Sequence, residues 1–179
     1  MGLFQEIHTQ ARERELDFLV IGGHAVIFHG YSRDTADLDL LIRRKDQSAW
    51  LEIFSALGYN IKSERESFIQ FSPPKQGAWP VDLMLVEDPT FNPMLEASIE
   101  VEMYGPHFKI PTILHLLALK LHALRYGHAE RFHKDLLDVE GLVKVNAIDM
   151  KAENIRHIFL KHGTLKLYEQ ISRFTAGQD

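Results

Sequence analysis

Asp37 and Asp39 are separated by a single leucine in the segment Ala-Asp-Leu-Asp-Leu-Leu-Ile at 36–42. In an extended strand successive side chains alternate, so Asp37, Asp39 and Leu41 share one face while Leu38, Leu40 and Ile42 take the other. Two carboxylates so placed repel each other unless a cation lies between them. A hard divalent ion is the natural partner, and Mg²⁺ (or Mn²⁺) favours a few carboxylates together with substrate phosphate oxygens. An isolated pair of this kind is more often a solvated strand edge, but here it has company. Gly22-Gly23 closes the apolar run Phe18–Ile21 and opens a short segment with room for a helix, where backbone N–H groups receive phosphate. Arg33 and Thr35, in the loop leading to the aspartates, offer a guanidinium and a hydroxyl to a triphosphate. Asp82 sits inside the apolar run Trp-Pro-Val-Asp-Leu-Met-Leu-Val. A lone carboxylate is costly to bury there without a cation or strong hydrogen bonds, although Pro80 close by leaves open a strand end facing water.

These residues need particular elements to position them. An apolar stripe from Leu3 predicts a helix over 3–16, and Phe18–Ile21 a buried strand. Strands follow at 36–42, near 59–62 and 66–72, and at 81–86, with an amphipathic helix at 47–57 stopped by Gly58. The segment 87–97 matches neither period. Residues 98–104 and 107–110 predict a hairpin around Gly105-Pro106. From Thr112, a helix N-cap after Pro111, the pattern turns helical, with helices over 113–124, 130–145, 150–162 and 164–174. The expected fold class is therefore α+β: a mixed sheet flanked by helices over 1–111, followed by a C-terminal helical region over 112–179 packed on it.

Composition narrows the function. Of 179 residues, 45% are hydrophobic and 25% charged, ordinary values for a globular chain with a real core. The absence of cysteine excludes disulfides, thiolate zinc sites and cysteine nucleophiles, and suits a reducing, cytoplasmic setting. The apolar runs are too short to cross a bilayer and the start lacks a signal-peptide core, so no membrane partner is expected. A net charge of −5 argues against broad duplex binding. The ten histidines lack zinc spacing: His115 and His122 lie two turns apart and His128 and His133 near one, without an HExxH. His24 and His29 stand closer to the proposed pocket.

The order Gly-Gly, then Arg-x-Thr-x-Asp-x-Asp on a strand, then a lone Asp on a later strand resembles the polymerase-β-like nucleotidyltransferase superfamily over residues 17–86. There the second glycine is usually followed by serine; His24 takes that place here, as in branches with a Gly-Gly-x-Ala start. The resemblance implies that Asp37 and Asp39 are catalytic metal ligands and that Asp82 completes a second metal site and helps activate the attacking hydroxyl. It implies a nucleotide-binding role for Gly22, Gly23, His24, Arg33 and Thr35.

In the helical half, Lys120 stands among leucines, and Arg131/Asp135 and Lys134/Asp138 have the i, i+4 spacing of surface pairs. These segments also resemble the C-terminal part of bacterial nucleotidyltransferase-type toxins and abortive-infection proteins. By that resemblance Lys120 contacts the nucleotide phosphates, while Asp135 or Asp138 pairs with it or supports the pocket. The expected function is transfer of a nucleoside monophosphate from an NTP such as ATP to a hydroxyl on a protein, tRNA or small molecule, in a toxin-type enzyme with an antitoxin-like partner. The alternative is a nucleotide-binding regulatory module of a paired complex that performs no transfer. A chance Asp-x-Asp in an unrelated α+β protein is the third reading.

Overall fold

The apolar run at 18–21 becomes β1 (Phe18–Val20), and the chain enters α2 (Gly22–Phe28) directly from it, after the amphipathic α1 (Leu3–Glu13). The remaining elements are β2 (Leu38–Arg43), a short 3₁₀ turn, α3 (Gln47–Ala56), β3 (Asn60–Arg65), β4 (Phe68–Ser72), β5 (Val81–Val86), α4 (Asp88–Glu96), β6 (Ile99–Glu102) and β7 (His107–Ile110). Four helices follow: α5 (Ile113–Tyr126), α6 (Ala129–Val145), α7 (Glu153–His162) and α8 (Leu165–Ala176). This computed structural model describes residues 2–127 and 129–176, so His128 lies outside the described residues. The chain divides into two units, Met1–Ala25 with Arg33–Thr112, and Val26–Ser32 with Ile113–Asp179.

In the first unit a five-stranded sheet has the order β1-β2-β5-β4-β3, and β6 pairs with β7 in a separate ribbon. The β2–β5 pair is parallel and the other neighbours are antiparallel, which makes the sheet mixed. Parallel central strands are covered on both faces, hence their nearly continuous apolar runs. The side chains of β2 from Leu38 to Ile42 are all buried. α3 covers the sheet with Trp50 and Phe54, whose rings lie 5.2 Å from Phe18 and 4.9 Å from Phe71. The segment 87–97, which fits neither period in the sequence, is helical: Pro89 falls in the first turn, where its missing N–H costs nothing, and Phe91 and Met94 supply the buried face.

In the second unit α5 packs on α6 and α7, and α8 completes the group against α6 and α7. The segment 26–32 belongs here as well. The Tyr31 ring occupies the place where a Cβ on Gly141 would lie, and Asn146 Nδ2 donates to the His29 carbonyl at 2.9 Å. No described helix is long and apolar enough to cross a membrane.

Candidate functional site

The parallel pairing of β2 with β5 sets Asp39 directly beside Asp82. Neighbouring strands lie about 4.8 Å apart, so two side chains in register on one face stand next to each other. Both aspartates are 6% exposed. Asp82 is therefore not the water-facing strand end that Pro80 allowed. Asp37 immediately precedes β2 and is half-buried. One oxygen from each of the three carboxylates lies within 4.8 Å of the others, and among the described residues this is the one such group of His, Cys, Asp and Glu that could hold a metal ion. Three like charges gathered in a partly buried place destabilise the fold unless a cation joins them. The donor set consists of hard oxygens and suits Mg²⁺ or Mn²⁺.

The surrounding chain fixes each carboxylate. Thr35 Oγ1 donates to Asp37 Oδ1 at 3.1 Å. Gln70, the register partner of Asp82 on β4, donates from Nε2 to Asp82 Oδ2 at 3.3 Å. The Ile21 N–H donates to the Asp39 carbonyl at 2.9 Å, which ties the start of α2 to β2. Gly22 has φ +59°, and a Cβ there would overlap the Asp39 carboxylate. A Cβ on Gly23 would overlap Thr35 and meet Arg33 Nη2 at 2.9 Å. The two glycines thus let the first turn of α2 lie directly against the aspartate and the Arg33–Thr35 loop. N–H groups of a first helical turn have no acceptor in their own helix. Arg33 Nη1 also donates to the Asp34 carbonyl at 2.7 Å.

His24 follows on the same turn and is 4% exposed, its ring 5.7 Å from Phe4 and 5.2 Å from Trp79. Burial holds its pKa below the usual value; Asp37 opposes that shift and Arg33 adds to it. His24 Nε2 has no hydrogen-bond partner among the described residues.

In the second unit Lys120 is buried between two acids, with Nζ 2.8 Å from Asp135 Oδ1 and 2.7 Å from Asp138 Oδ2. Asp135 and Asp138 are 4% and 0% exposed. Of the two pairings open in the sequence, the one with Lys120 forms and the surface pairing suggested by i, i+4 spacing does not hold these acids: both carboxylates turn inward across the α5–α6 contact. Sequence reasoning missed Gln70, and its one signal is the polar position between Ile69 and Phe71 in an alternating strand. It also missed the aromatic set of Phe4, Trp79 and Tyr104, since Phe4 reads as part of a helical apolar stripe and Trp79 as part of the apolar run around Asp82.

No protein-family model and no curated protein matches this chain. Solved structures do. An antigenic nucleotidyltransferase-like protein from Paracoccidioides brasiliensis is 14% identical with a TM-score of 0.57, covering 94% of this chain and 88% of that one. The antibiotic-resistance factor ANT(2'')-Ia is 16% identical with a TM-score of 0.57, covering 97% and 92%. The lincosamide antibiotic adenylyltransferase LnuA, solved with lincomycin bound, is 11% identical with a TM-score of 0.53, covering 79% and 98%. At such identities the likeness is one of fold. A mixed five-stranded sheet with its helices, followed by a C-terminal helical region, is the fold this chain shares with these three structures.

Proposed function

We propose that the protein is a metal-dependent nucleotidyltransferase, moving a nucleoside monophosphate from an NTP to a hydroxyl acceptor with release of pyrophosphate. The observation that carries this reading is the convergence of Asp37, Asp39 and Asp82, two of them buried side by side on parallel strands. These three carboxylates would hold Mg²⁺ or Mn²⁺. When bound, such a cation neutralises phosphate charge and lowers the pKa of the attacking hydroxyl. The protein's own residues do the positioning. Rigid strands fix Asp39 and Asp82, while Thr35 and Gln70 orient Asp37 and Asp82. The first-turn N–H groups at Gly22–His24 receive phosphate oxygens, and Arg33 lies against the same backbone as a second phosphate contact.

The acceptor is a hydroxyl on a small molecule, tRNA or protein. The shared fold with two antibiotic-directed proteins supports the small molecule, and the resemblance to toxin-type proteins supports tRNA or protein. In the toxin reading the enzyme is cytoplasmic and is restrained by an antitoxin-like partner. Transfer is tested with α-³²P-labelled NTPs, Mg²⁺ and three acceptor pools: cellular RNA, cellular protein and aminated polyols. Label should enter one pool with the wild type and none with Asp39→Asn. Metal-dependent ATP binding without transfer to any pool favours the regulatory module instead.

A further inference from the structure

Around His24 and Trp79, which adjoin the carboxylate segments in the chain, the first unit gathers aromatic rings that take no part in holding a cation. Phe4 is their hub, with ring centroids 5.7 Å from His24, 5.9 Å from Trp79 and 4.5 Å from Tyr104. Trp79 lies 5.2 Å from His24 and 6.4 Å from Tyr104. Phe4 and His24 are buried and Trp79 is half-buried, but Tyr104 is 67% exposed.

Two routes fix this set to the catalytic end of the sheet. His24 directly follows Gly23 and feels the charge of Asp37. Trp79 lies three residues before Asp82, and its carbonyl accepts from Tyr59 Oη at 2.8 Å. The adjacent Pro80 carbonyl accepts from the N–H of Leu38, the residue between the two aspartates, at 2.9 Å. Tyr104 is an expensive residue to keep where it is. Its φ of +53° lies in the left-handed region, which bulky L-residues avoid, and most of its ring faces water. The contact with Phe4 leaves Tyr104 67% exposed, and an exposed aromatic ring serves a flat partner. Charge selects among flat partners. The first unit carries ten Lys and Arg against seventeen Asp and Glu, a balance that disfavours a long polyanion. An NTP brings its own ring, with its phosphates directed to the cation.

We propose that Tyr104 and Trp79 form a stacking subsite for a nucleobase, in the first place the base of the NTP. This rests on the function proposed above and adds base recognition to it. Trp79 is a convenient reporter, because Trp50, the other tryptophan, is fully buried. The full-length protein is titrated with Mg·ATP, with Mg·tripolyphosphate and with adenosine alone, following tryptophan fluorescence and heat of binding. Mg·ATP should quench Trp79 and bind about five- to hundredfold more tightly than Mg·tripolyphosphate, the range expected for one stacked base. Tyr104→Gly suits the left-handed backbone, so it removes the ring without straining the turn. It should bring ATP down to the tripolyphosphate level, and Tyr104→Phe should restore the difference. Saturable quenching by adenosine without a divalent cation, lost in Tyr104→Gly, also supports stacking. Equal affinity for ATP and tripolyphosphate, unmoved by Tyr104→Gly, overturns the subsite and leaves the proposed function standing. Failure of both phosphate ligands to bind removes the two together.

Discussion

With two buried aspartates held side by side and a third carboxylate within reach, the metal-free protein stores electrostatic repulsion at this site. Removing one charge should relieve it. Asp82→Asn is expected to lower nucleotidyl transfer by at least about a hundredfold, a loss of several kcal/mol of transition-state stabilisation. The same change should raise the melting temperature of the metal-free protein by a few degrees. Added Mg²⁺ should then stabilise the wild type more than the variant, because only a ligand that binds the folded state shifts unfolding. Calorimetry with and without Mg²⁺ checks both signs. His24 gives a pH prediction. Its folded pKa is depressed, mainly by burial, so the unfolded chain takes up a proton near pH 6.5 before the folded chain does. Its contribution to stability is complete above pH 6.5 and is lost as pH falls below that value. His115 and His162 are shifted the same way. His24→Phe should therefore flatten part of the decline between pH 7 and pH 5, by up to about 1.4 kcal/mol per pH unit. An unchanged slope in urea titrations would count against the buried neutral imidazole.

At the scale of elements, α2 begins where the Asp39 carboxylate fills the space beside Gly22. Gly22→Ala combines a left-handed backbone with a steric overlap, and should cost about 2 kcal/mol or more. In the double variant Gly22→Ala/Asp39→Ala the carboxylate part of the overlap is gone and only the Cβ of residue 39, at 2.8 Å, remains, so part of that loss should return in a double-mutant cycle of unfolding free energies. The α5–α6 contact turns on Lys120. Lys120→Met leaves Asp135 and Asp138 buried together, and should cost roughly 3–5 kcal/mol in chemical denaturation; adding Asp135→Asn and Asp138→Asn should recover much of it. The site was legible in the sequence where local chemistry and period agree. Asp37-Leu38-Asp39 and Val81–Val86 carry strand patterns around misplaced charges, and the sheet puts those charges together. What no local pattern carries is register. That Asp39 stands beside Asp82, and Gln70 beside Asp82, follows from strand order across a long sequence separation. The helix at Asp88–Glu96 was hidden by its two prolines. The acids at 135 and 138 match a surface pattern as well as a buried one, and only the tertiary partner Lys120 decides between them.

At the scale of the whole molecule, the charge of −5 is unevenly spread: the first unit has an excess of acids, while the second has ten Lys and Arg against eight Asp and Glu. Self-repulsion within an acidic unit is screened by salt. Raising NaCl from 50 to 300 mM without divalent ions should therefore raise the melting temperature by a few degrees, and a fall in a thermal scan would contradict this. The excursion of Val26–Ser32 into the second unit also governs how the protein is made. A ribosome delivers these residues early, yet the helices they belong with start at Ile113, about 80 residues later. At ~5–20 residues per second that is a wait of several seconds. During it Val26, fully buried in the folded protein, is displayed on a nascent chain whose strands β2 to β7 are still being made, a window in which a chaperone or a neighbouring nascent chain competes for it.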